Sequence, residues 1–70
     1  MKLEDIVFIL QETVDCFEEF ESRTIMAGFL FSLSELGYIT EDFEDKLKSF
    51  LSVGPINERL SNLVENGFQL

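Results

Sequence analysis

Residues 3 to 22 contain neither glycine nor proline, and within them Leu3, Val7, Leu10, Val14 and Phe17 recur at alternating steps of four and three. That period is the seam of an amphipathic helix, and nothing in the stretch would break one. A first helix, the longest of the chain, is expected here. The polar group Glu21-Ser22-Arg23-Thr24 offers Ser22 or Thr24 as the N-cap of a second helix running to Leu36. Gly37 can take the left-handed conformation that stops it, and Thr40 can cap a third helix whose stripe is Phe43, Leu47, Phe50 and Leu51. Gly54-Pro55 ends that unit and opens a fourth, with Pro55 suited to the first helical position and Ile56, Leu60, Leu63 and Val64 as the stripe up to Gly67. Ile6 to Leu10 and Gly28 to Leu33 are rich enough in Ile, Val and Phe to suggest strands, but neither alternates with polar residues and no hairpin signal separates them. The expected fold is all-α, a small bundle of about four helices. Seventy residues make one domain, 1–70, because a chain this short hides only about 60% of its unfolded surface and has no room for a second core.

The first two helices carry more apolar surface than one core can take. On the first, Ile9, Cys16 and Phe20 fill an arc beside the main seam, and together the two arcs cover about half the circumference, against a stripe of roughly 100° for a helix on a single core. On the second, Glu35 is the one charged residue between Thr24 and Tyr38, and Phe31 lies opposite Ile25, Phe29, Leu33 and Leu36. A second copy of the chain is the economical cover, so a helical homodimer is expected, with Ile9, Phe20, Gly28 and Phe31 as interface candidates. The competing arrangement is a monomer in which the third and fourth helices wrap tightly enough to bury everything. Gly28 costs a helix about 1 kcal/mol relative to Ala, which points to close approach of another helix or to a bend.

Charge narrows the functional classes. Fourteen Asp or Glu against five Lys or Arg give a net charge of -9, so direct nucleic-acid binding through a basic patch is not expected. Seven acids and no base lie between Glu4 and Glu21. Asp42 with Lys46 and Glu44 with Lys48 form favourably ordered i, i+4 pairs on a face read as merely solvated. On the first helix Glu4, Asp5, Glu12, Asp15 and Glu19 project into one sector, and Asp15 with Glu19 is a like-charge i, i+4 pair held at a cost. Seven charges on one helix would stand about 4 Å apart along its axis, close to the 3.4 Å of phosphates on one DNA strand. Such a row could occupy a basic groove of another protein; the alternative is that the charge serves solubility alone. Phe8 falls in the middle of the acidic sector and has the make-up of an interface anchor with a charged rim.

Catalytic chemistry finds little support. There is no His, and the single Cys16 has only acidic neighbours in sequence, so neither a neutral-pH base nor an activated thiol is expected. Glu12 with Asp15 and Glu18 with Glu21 have the i, i+3 spacing of helical magnesium sites, but no lysine or arginine stands near to hold a phosphate, and no calcium-binding loop is present. No metal, cofactor or enzyme activity is expected. No secretory signal or membrane span is legible, and one unpaired cysteine fits a reducing cytoplasm. The expected function is a small acidic protein-binding module, an inhibitor or regulator that engages a basic, nucleic-acid-binding surface of a target through Phe8, Glu12, Asp15, Glu18 and Glu19, by analogy with nucleic-acid mimics made by phages and mobile elements. The rival is an immunity, antitoxin or adaptor protein that binds through an apolar helix face or groove.

Overall fold

A turn that the sequence does not announce divides the stretch expected to form one long helix. A computed structural model describes residues 2–67. In it α1 (Leu3–Cys16) ends before Phe17 and Glu18, both extended, and α2 (Glu19–Glu35) begins at once. The longest helix is therefore α2, with 17 residues against 14. Ser22 is not an N-cap; Glu18 holds that position. Instead Ser22 is fully buried and its hydroxyl lies 3.2 Å from both Thr13 O, which also accepts from Phe17 N, and Phe17 O, at the carbonyl end of α1. Thr13 is buried beside it, its own hydroxyl donating to Ile9 O at 2.8 Å.

The later boundaries follow local chemistry. After α2, Gly37 adopts φ 82°, and the amides of Gly37 and Tyr38 donate back to Ser34 O and Leu33 O, a Schellman closure that a Cβ would strain. Thr40 caps α3 (Glu41–Leu51) by accepting from Phe43 N at 3.1 Å. Pro55 is the N-cap of α4 (Ile56–Glu65), one position earlier than expected. Among the described residues there is no strand.

Each helix packs on two others, α1 and α3 both on α2 and α4, which closes a four-helix ring. The core within it comprises Ile6 and Leu10, Met26, Leu30 and Leu33, Leu47 and Leu51, and Ile56, Leu60 and Leu63. The seam of α1 is thus Ile6, Leu10 and Thr13; Leu3 and Phe17, expected inside, are 44% and 48% exposed. Val64 likewise lies at the surface. The radius of gyration, 11.0 Å, is the roughly 11 Å of a compact chain of this length. The apolar surplus is left outside, on Phe8, Phe20, Phe31, Leu36 and Tyr38.

The cations hold the α3–α4 half together. Arg23 reaches from α2 to Leu51 O at 2.7 Å and Gly54 O at 2.8 Å, while Arg59 donates to Phe50 O and lies 3.8 Å over the Phe50 ring. Both guanidinium groups thereby satisfy the carbonyl end of α3, where a positive charge also opposes the helix dipole. Lys46 pairs with Asp42 at 3.1 Å and Lys48 with Glu44. That face is not merely solvated, because Glu44 is buried. The hydrogen bond from Lys48 is the main cause holding the Glu44 carboxyl below its ordinary pKa; burial opposes it, and the Ser34 hydroxyl and the Lys48 charge assist.

Candidate functional site

The exposed side of α1 is built by helical spacing around one ring. Phe8 is 65% exposed, with Glu4 and Glu12 one turn to either side, Asp5 three residues before it and Asp15 seven after. Asp5 accepts from Lys2 N and Asp15 from Gln11 Nε2 at 3.1 Å, but among the described residues no ion pair reaches Glu4, Asp5, Glu12 or Asp15. The reason is the distribution of cations just given: Arg23, Arg59, Lys46 and Lys48 are all engaged around α3 and α4.

The break at residue 17 shortens this face. Glu18 and Glu19 do not continue it, and Asp15 with Glu19 is not a helical like-charge pair, because α1 has ended between them. Glu19 turns instead to the start of α4, where its Oε1 accepts from Ile56 N at 3.0 Å and lies 3.5 Å from Arg23 Nη2. It completes the start of α4, which has no side-chain cap from Pro55. Glu4 to Asp15 spans about 16 Å of helix, so the four remaining acids stand about 5.5 Å apart along the axis, wider than a phosphate row. The face is better described as an aromatic ring with an acidic rim.

A second exposed surface lies on α2. Phe20 is 81% exposed and Phe31 54%, and Lys48 Nζ sits 5.8 Å from the centre of the Phe31 ring. Gly28 lies on the same exposed side; a Cβ there would meet nothing within 4 Å, so no helix of the same chain approaches it, and α2 runs through it unbroken. Ile9, by contrast, is half-buried within the chain. Beside this surface a groove of about 220 Å3 separates α2 from α3, floored by Met26, Leu30, Leu51 and Ile56 and edged by Arg23 and Lys48. Sequence reading missed the groove, since it depends on the pairing of two helices; the one available signal was the surplus of Phe on α2.

No group of three or more His, Cys, Asp or Glu side chains among the described residues could hold a metal ion. Cys16 is exposed at the end of α1. No helix among the described residues is long and apolar enough to cross a membrane. In comparisons with known proteins, no family model, no curated protein and no solved structure matches the chain.

Proposed function

We propose that the chain is a small acidic binding module, without catalytic activity of its own, whose α1 face engages a basic surface of another protein and thereby inhibits or regulates it. The observation that carries this reading is Phe8, exposed at the centre of Glu4, Asp5, Glu12 and Asp15, none of which has a cationic partner among the described residues. An aromatic anchor with a charged rim is the arrangement in which burial supplies the holding energy and charge the steering. A basic nucleic-acid-binding surface is the complementary target, in the manner of a nucleic-acid mimic in charge if not in spacing. We also propose that two chains associate through the exposed face of α2.

The test uses the full chain as bait in an extract of its native source, at low and high salt, beside a variant carrying Glu12→Lys and Asp15→Lys. A partner held by the wild type at low salt, released by salt or by competing duplex DNA, and not held by the variant supports the reading. A partner held equally by both proteins contradicts it. The groove between α2 and α3 favours a second reading, an immunity, antitoxin or adaptor function in which an apolar helix of the partner docks there. In that case Ala27→Glu, at the groove edge, abolishes capture and charge reversal on α1 does not.

A further inference from the structure

Phe20, Thr24, Ala27 and Phe31 lie within an arc of about 60° on α2, the first two and the last exposed and Ala27 half-buried. Their order has a symmetry of its own. Phe20 and Phe31 are equidistant from a point between Ile25 and Met26, and so are Thr24 and Ala27. A two-fold axis through that point therefore lays two α2 helices antiparallel with each Phe20 over the partner's Phe31 and each Thr24 over the partner's Ala27. Small residues meet in the middle, where the backbones must come close, and large rings meet at the two ends. An isologous contact needs a patch complementary to itself, and this one is.

We propose that this stripe is the contact between two copies of the chain, in that antiparallel register. The inference rests on the association proposed above and specifies its geometry. Area supports a weak dimer. At about 200 Å2 per ring, the exposures of 81% and 54% put roughly 500 Å2 on the four rings of a pair, under half of the about 1,200 Å2 at which stable interfaces begin. Such a dimer is weak and concentration-dependent. Its two halves each carry -9, so added salt strengthens it, the opposite of the response expected where the acidic α1 face meets a basic target.

Sedimentation equilibrium of the full chain tests the register by a charge swap. Phe20→Glu and Phe31→Arg, each alone, should weaken self-association on the order of tenfold or more, since each removes a ring from both ends of the contact. The double variant Phe20→Glu with Phe31→Arg keeps the net charge of the wild type and sets the introduced carboxylate of one copy against the introduced guanidinium of the other at both ends, so association should return. Both rings are exposed, and circular dichroism checks that every variant keeps its helix content. Single variants that dimerise like the wild type overturn the proposal, as does a double variant no better than the singles. A wild type that stays monomeric at high micromolar concentration overturns the association itself, whereas a wild-type dimer with no rescue overturns only the register.

Discussion

Ser22 shows how one side chain can fix a turn. Its hydroxyl stands where α1 leaves its last carbonyls, and its small volume lets α2 fold back tightly over Thr13. Ser22→Ala should cost about 1–2 kcal/mol, the desolvation penalty of an acceptor, Phe17 O, left short of a donor. Urea denaturation with an unchanged slope checks this, and a cost of only a few tenths would mean that the turn is held by packing alone. Gly28 makes the opposite prediction. With open space around it and helical backbone throughout, Gly28→Ala should stabilise the dilute monomer by about 0.5–1 kcal/mol through lower unfolded-chain entropy. Destabilisation there would place another helix against it.

At the scale of elements, the boundaries legible in the sequence are those whose chemistry is local. Gly37 and Thr40 act within one turn of themselves, and their roles could be read from residue type. The end of α1 was not legible, because Phe17 and Glu18 carry no turn signature and the groups that stabilise the turn are Ser22 and Thr13, nine residues apart. Nor was the role of Glu19, whose hydrogen bond to Ile56 N crosses 37 residues. The face around Phe8 was legible as far as Asp15, since helical spacing alone creates it, and failed beyond because the helix does. Glu19→Ala should cost about 1 kcal/mol as a lost N-terminal acceptor, measured by denaturation. The lowered pKa of Glu44 gives α3 an acid-sensitive contact. Its ionised form is favoured by folding, so its contribution is present above the ordinary value of 4.5 and is lost as pH falls below it through the folded value. Glu44→Gln should therefore flatten the acid limb of Tm against pH, and an unchanged limb would show that Lys48 does not hold it.

Across the whole molecule, charge is segregated: four of the five cations are engaged around α3 and α4, and the exposed acids of α1 are left uncompensated. Such a distribution works against the compact state through self-repulsion. Salt should raise the Tm by screening self-repulsion, and a Tm indifferent to salt would mean that these acids are neutralised within the fold. The most direct test of the central claim is the kinetics with which a captured partner binds the wild type, the Glu12→Lys, Asp15→Lys variant and Phe8→Ala. Charge reversal should slow association and flatten its dependence on salt, because exposed charges steer encounter. Phe8→Ala should instead speed dissociation, costing about 1–2 kcal/mol as a lost anchor. Association and dissociation rates unchanged in both variants would contradict the account.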